Sequence, residues 1–192
     1  MRKLVRSVIA ATLLTAALPA NAATLLFNGS VTGVSNLVGA DPTCAPLQYR
    51  SAIDPLSTLG TSSLGDFTLR TSTCLALGGG ASFGTFTIDF GRDSFNGTFD
   101  GGSTPTSTPG ISDTAWLYTI LGGTGRFAGA SGTFDATGIA DARTRPTRVL
   151  IDFFGNISTV PEPATWMMMI LGFGAIGLNA RRRRERMRHL IA

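Results

Sequence analysis

Short runs in which apolar and polar residues alternate narrow the possible folds of this chain more than any other feature. Side chains of a β-strand alternate between its two faces, so each run predicts a strand with one buried and one solvated face. The three clearest runs are FGTFTIDF (83–90), TAWLYTIL (114–121) and TRVLIDFF (147–154). Their apolar faces consist of Phe86, Ile88, Phe90, Trp116, Tyr118, Ile120, Val149, Ile151 and Phe153.

The rest of the central segment predicts the same all-β class. It holds 21 of the chain's 24 glycines, and no long stretch of it has apolar residues at helical spacing. Glycine-rich stretches at 78–80, 100–110 and 122–125 predict loops, and the longest of them is expected to be flexible. Further strands are predicted near 24–34, 47–53, 66–70, 94–99 and 131–140. About eight short antiparallel strands fit either a single β-barrel or a β-sandwich.

The N-terminal segment predicts export. Three basic residues, Arg2, Lys3 and Arg6, precede an apolar run that ends at Leu18, and a small-x-small sequence ends at Ala22. This order is typical of a helical signal peptide over residues 1–22 that signal peptidase removes. An uncleaved membrane anchor is the alternative, although the apolar run is short for that role.

The exported domain is predicted to span residues 23–158, and its charge differs from that of the whole chain. The full sequence carries a net charge of +4, but residues 23–160 contain only seven arginines against ten aspartates. The basic excess therefore belongs to the two ends of the chain. A nucleic-acid partner, which would need a basic face on the folded part, is not expected.

The C-terminal segment, residues 159–192, predicts a membrane-inserted tail. No residue from Ala164 to Ala180 is charged, and a helix of that length reaches about 25 Å, slightly less than the ~30 Å hydrocarbon core. We expect this transmembrane helix to enter the inner membrane transiently. The arginine run that follows would stay cytoplasmic as a stop signal, and it consists of Arg181, Arg182, Arg183 and Arg184.

The tail resembles the PEP-CTERM sorting signal, in the variant that has tryptophan after the second proline. The resemblance rests on Pro161, Glu162, Pro163 and Trp166, followed by the apolar stretch and the arginines. It implies recognition and cleavage by an exosortase near the Pro-Glu-Pro sequence, and then release or attachment at the cell surface, often alongside exopolysaccharide. Met167 departs from that variant, which usually has alanine there. Charge and hydropathy alone leave a permanent single-span anchor open.

A second resemblance lies within the central domain. The segment GGTGRFAGASGTF (122–134) is similar to a glycine-rich stretch of dirigent and allene oxide cyclase-like β-barrels. The resemblance implies a barrel and says little about function. The segment does not match a phosphate-binding loop, because no Lys-Ser/Thr pair follows it.

The catalytic residue types are mostly missing from residues 23–160. The single histidine, His189, lies in the tail, and the central domain contains neither lysine nor glutamate. The usual triads, Schiff bases and histidine metal sites are therefore not expected, and we predict no enzymatic activity, cofactor or metal site. An aspartate-based glycan hydrolase remains an alternative through Asp89, Asp93 and Asp100, because glycosidases use two carboxylates.

Two further features predict binding or stability. Cys44 and Cys74 are the only cysteines, and an oxidising exported compartment favours a disulfide between them. Arg143, Arg145 and Arg148 form the one local basic cluster of the domain. They predict either contact with an acidic exopolysaccharide or a solvated loop.

Taken together, the sequence predicts an exported cell-surface or extracellular matrix protein with a structural or exopolysaccharide-associated role. A barrel that binds or cyclises a small apolar ligand is the main alternative. That alternative requires a deep cavity lined by Trp116, Tyr118 and phenylalanines instead of a filled core.

Overall fold

The computed structural model describes residues 23–159, 169–177 and 181. Residues 23–159 form a single antiparallel sheet of nine strands. In chain order the strands are β1 (Ala23–Ala40), β2 (Tyr49–Ile53), β3 (Leu59–Ser62), β4 (Gly65–Leu75), β5 (Gly80–Asp89), β6 (Ser94–Pro105), β7 (Ile111–Thr124), β8 (Gly132–Asp141) and β9 (Thr147–Thr159).

The sheet closes into a barrel because its first and last strands pair. β1 and β9 are in register from Ala23 opposite Thr159 to Ser35 opposite Thr147. β2 and β3 each pair with both β1 and β4, at different heights, so together they occupy one position in the wall. The result is a barrel of eight positions, which confirms the all-β class and selects the barrel over the sandwich.

Several strands are longer than the sequence predicts. The stretch 100–110 is predicted to be a loop, but β6 continues through it to Pro105, paired from Asp100 opposite Leu117 to Pro105 opposite Ser112. Likewise β7 includes the first three residues of 122–125. The loop predictions are wrong there because the glycines allow close packing of strands: a Cβ on Gly102 would clash with the carbonyl oxygen of Gly80.

The core fills one half of the barrel with aromatic rings. Phe27 lies at its centre and contacts the rings of Phe67, Phe95, Phe134 and Phe153, with centroid distances of 5.3–5.9 Å. Most of these contacts are edge-to-face, the arrangement that aromatic quadrupoles favour. The predicted inward faces of the three alternating runs are confirmed, although Phe90, Trp116 and Val149 are only partly buried.

The glycine-rich segment 122–134 closes the end of the barrel that holds the aromatic core. After β7 the chain makes a 3-10 turn, Gly125–Phe127, and Phe127 is fully buried 5.1 Å from the ring of Phe95. Arg126 lies over the rings of Phe90 and Phe127, and its Nε is 3.3 Å from a carboxylate oxygen of Asp93. The segment therefore acts as a plug. Whether it is related to dirigent-like barrels stays a prediction.

The C-terminal tail is described only in part. Residues 169–177 are helical, which agrees with a helix in the predicted span 164–180. Across the described ranges, no helix has both the length and the apolar character needed to span a bilayer. The predicted signal peptide and the tail residues Pro161, Glu162, Pro163, Trp166, Arg182, Arg183 and Arg184 lie outside the described residues.

Candidate ligand cavity at the open end of the barrel

The end of the barrel opposite the plug is open and leads into a cavity of about 640 Å³. Three connections surround the opening: 76–79 between β4 and β5, 106–110 between β6 and β7, and 142–146 between β8 and β9. We call this opening the mouth. Its volume lies within the range of roughly 300–1,000 Å³ that small-molecule sites occupy.

The cavity exists because inward-facing side chains become small toward the mouth. Along β7 the inner face changes from Ile120 and Tyr118 in the core to Trp116 and then Thr114. On β5 the last inward-facing side chain before the mouth is that of Ser82, because Gly80 beyond it has none. Serine and threonine side chains are too small to fill a barrel of this diameter, so the space that phenylalanines occupy at the closed end stays empty here.

Trp116 forms part of the cavity wall, where the cavity meets the aromatic core. Its indole Nε1 donates a hydrogen bond to Ser82 Oγ at 2.8 Å. On the core side its ring meets Phe99 edge-to-face, with centroids 6.2 Å apart. The indole is therefore held in place from both sides and presents a rigid aromatic surface to the cavity.

Thr114 supplies a polar group without a partner. It lines the cavity, its residue is only 6% exposed, and its Oγ1 has no hydrogen-bond partner among the described residues. A buried hydroxyl that makes no hydrogen bond costs about 1–3 kcal/mol. Because the Oγ1 atom itself is buried, the Thr114 side chain has to rotate about χ1 before a ligand at this depth can hydrogen-bond to it, and such a bond would remove that cost.

The sequence predicts that a ligand cavity would be lined by Trp116, Tyr118 and phenylalanines, and only Trp116 lines it. Tyr118 is buried in the core, with its ring stacked 4.9 Å from those of Phe99 and Phe134. Burial raises the pKa of its hydroxyl. The ligand-binding alternative requires all of these residues in the cavity wall, and the structure supplies only Trp116, because Tyr118 and the phenylalanines fill the closed half of the barrel.

The three arginines of the predicted basic cluster have different surroundings. Arg143 binds Asp141 with two hydrogen bonds, of 2.8 and 2.6 Å, which hold the pKa of that carboxyl at about 2. Arg145 lines the mouth, whereas Arg148 lies along a shallow groove on the outer wall. Arg143 and Arg148 nevertheless flank the same carboxylate, because Asp141 is also the cross-strand partner of Arg148, and contact with an acidic exopolysaccharide stays a prediction.

Of the three aspartates considered for glycan hydrolysis, Asp100 lies far from the other two. Asp89 accepts a hydrogen bond from the backbone of Gly91, and Asp93 pairs with Arg126 in the plug. Asp100 is exposed on β6, six residues beyond the partner of Asp89 in the neighbouring strand. At about 3.3 Å per residue this is a separation of about 20 Å, too far for a glycosidase carboxylate pair.

Cys44 and Cys74 form a disulfide, with their Cα atoms 5.2 Å apart, as the sequence predicts. The bond ties the 3-10 turn Pro42–Cys44 to the end of β4. The same turn is held by Arg50, whose Nε is 2.6 Å from Asp41 Oδ2. The connection between β1 and β2 is thus held in place beside the mouth.

The fold and the cavity define a class: an antiparallel β-barrel with one plugged end and one ligand-sized open end, followed by a separate C-terminal tail. Within that tail, residues 159–184 match the PEP-CTERM protein-sorting motif. The match confirms the predicted sorting signal and indicates export across the membrane and exosortase processing to a cell-surface or extracellular protein. A search of curated proteins and a search of solved structures each found no match.

Proposed function

We propose that the mature barrel is a non-catalytic component of the cell surface or extracellular matrix that binds a small, largely apolar molecule in its mouth. The observation that carries this proposal is the unpartnered hydroxyl of Thr114, buried in the wall of an otherwise open cavity. A barrel with a purely structural role could fill the space at the mouth with side chains, as this barrel does at its plugged end.

The chemistry of the lining supports an uncharged, partly apolar ligand body. The residues around the cavity include Leu37, Leu75 and Ile111, interspersed with serine and threonine hydroxyls. Apolar surface gives affinity, and a few fixed polar groups give orientation, which is the usual division in small-molecule sites. Trp116 adds a rigid ring for stacking.

Both ends of the barrel's own chain lie away from the mouth. Ala23 pairs with Thr159 at the plugged end, so the barrel's first and last residues both lie opposite the mouth. The match to the sorting motif begins at Thr159, the last residue of β9.

The protein for the test is the isolated barrel domain, residues 23–160, with its disulfide formed. These residues contain the whole closed sheet and its core. Trp116 is the only tryptophan in this range, so it is an internal fluorescent donor. The neutral probe N-phenyl-1-naphthylamine should bind saturably and quench Trp116 by energy transfer. Absence of saturable binding to the folded barrel would overturn the proposal.

A pair of variants locates the binding. Ala140 lines the cavity, whereas Ala115 is exposed on the outer face of β7. Ala140→Phe should occupy part of the cavity and weaken probe binding about tenfold or more, which is about 1.4 kcal/mol or more, because the added ring and the probe compete for the same space. Ala115→Phe is the matched control and should bind like the wild type. Equal effects of both variants would place the probe elsewhere.

A further inference from the structure

We propose that the ligand of the mouth is a monoanionic amphiphile, whose charged group pairs with Arg145 at the rim and whose polar group reaches Thr114 inside. This inference rests on the proposed function and adds the charge and the polarity pattern of the molecule. Its basis is the placement of one free cation and one free hydroxyl in a cavity that is otherwise uncharged.

Arg145 is the only charged residue among the described residues that line the cavity. It makes no hydrogen bond or ion pair with any described residue. Asp141, the aspartate closest in sequence, has both carboxylate oxygens bound by Arg143. The positive charge of Arg145 is therefore not neutralised within the barrel, and the lining contains no aspartate that would attract a cation.

The depth of Thr114 limits the length of the ligand. Ile111 begins β7 at the rim, and Thr114 lies three residues further along the strand, which is about 10 Å along the strand and, at the usual tilt of barrel strands, a depth of about 7–8 Å. Apolar residues such as Val149 and Ile151 line the wall on the β9 side of this depth. A molecule that pairs with Arg145 at the rim and hydrogen-bonds to Thr114 inside thus has an anionic head, an apolar body of about this length, and a neutral hydrogen-bonding group at the far end.

Two probes with the same skeleton separate the charge from the apolar body. 1-Anilinonaphthalene-8-sulfonate is N-phenyl-1-naphthylamine with one added sulfonate. The quantity to measure is the ratio of their affinities for the folded barrel, determined for the wild type, Arg145→Gln and Arg92→Gln. Arg92 is an exposed arginine in the β5–β6 connection at the plugged end, so its variant loses the same charge far from the mouth.

The affinity ratio of anionic to neutral probe should fall about two- to fivefold in Arg145→Gln, the range of a partly exposed ion pair. In Arg92→Gln it should match the wild type. High salt should lower the wild-type ratio toward that of Arg145→Gln, because the Debye length falls to about 3 Å at 1 M.

The outcomes that overturn the inference are distinct. If the neutral probe binds in the mouth but the ratio is the same in Arg145→Gln as in the wild type, the anion preference is wrong and the cavity proposal stands. If Arg92→Gln lowers the ratio equally, the effect is one of net charge and the inference also fails. If the neutral probe does not bind at all, the proposed function fails and the inference fails with it.

Discussion

The indole of Trp116 on β7 reaches over Gly101 on β6 to donate a hydrogen bond to Ser82 on β5. Both Trp116 and Ser82 are in register with Gly101, one from each side, so the three residues form one row across the inner face. The hydrogen bond can cross this row only because the middle residue, Gly101, has no side chain. It sets the boundary between the filled and the open half of the barrel.

Gly101→Ala should disturb this row. A Cβ at this position would lie 2.2 Å from the carbonyl oxygen of Ala115, 2.7 Å from Trp116 Cα and 2.8 Å from its Cδ1, so the backbone of β7 and the indole both have to move. We expect a loss of about 1–3 kcal/mol in the free energy of unfolding by urea, together with a red shift of Trp116 emission. Gly122→Ala is the control, since no atom lies within 4 Å of its added Cβ, and it should leave both quantities nearly unchanged. A Gly101→Ala variant with wild-type emission would show that the indole is not held as described.

Phe127→Ala should remove the plug. Phe127 is 0% exposed and packs against Phe90 and Phe95, so its loss should cost about 3–5 kcal/mol in the free energy of unfolding. Phe154→Ala makes the same change at a side chain that is 64% exposed, and should cost less than about 1 kcal/mol. Similar losses for the two variants, measured by urea denaturation, would contradict a buried plug.

The disulfide should contribute substantially to stability. Cys44 and Cys74 are 30 residues apart, and closing such a loop stabilises the folded state by about 3.6 kcal/mol in the chain-entropy model. The urea midpoint of the oxidised barrel should exceed that of the Cys44→Ser/Cys74→Ser variant accordingly. The oxidised protein should contain no free thiol in a thiol assay under denaturing conditions. Two titratable thiols in unreduced exported protein would contradict the bond.

Stability should fall in acid partly through Asp41. Hydrogen bonds from Thr43 and Arg50 lower the pKa of Asp41 from 3.8 to about 2. A carboxyl whose folded pKa is lowered stabilises the fold above its unfolded pKa and loses that contribution as the pH drops through the folded value. Thermal midpoints should therefore decline between pH 4 and pH 2, and less steeply in Asp41→Asn. Asp100→Asn, at an exposed carboxylate, is the control; an Asp41→Asn profile that parallels the wild type would refute the linkage.

Processing should remove the tail. The intact mass of protein recovered from the surface or medium of the native organism should correspond to a chain from about Ala23 to near Pro163. Replacement of Pro161, Glu162 and Pro163 by alanine should leave the chain uncut and in the membrane fraction, because the matched sorting motif is lost. Ser158→Ala, just upstream of the matched residues, should be processed normally. Wild-type protein that keeps Trp166 to Ala192 would mean a permanent anchor.

Local features of the chain predicted much of the barrel wall. Alternation placed Phe86, Tyr118 and Phe153 inward, and all three are buried. Glycine-rich stretches were less informative, because glycine serves both turns and close strand packing. Gly102 illustrates the second use, since its strand is a continuous part of the sheet where a loop is expected.

The cavity could be predicted only in part. Trp116 was expected in its lining, but Thr114 was not, and nothing in its sequence neighbourhood marks a threonine that lacks a hydrogen-bond partner. The arginines 143, 145 and 148 look like one cluster in sequence. In the structure Arg143 and Arg148 both neighbour Asp141, on the outer wall of β8 and β9, whereas only Arg145 lines the mouth.

By itself the sequence determined the strand faces, the disulfide partners and the sorting signal, because each depends on residues close in the chain or on residue types that occur only twice. Only the tertiary structure decided between barrel and sandwich, and where the interior stays open. Closure depends on Ala23 meeting Thr159, a pairing between the two ends of the domain that no local pattern encodes. The cavity depends on which small side chains that closure brings to the same end of the barrel.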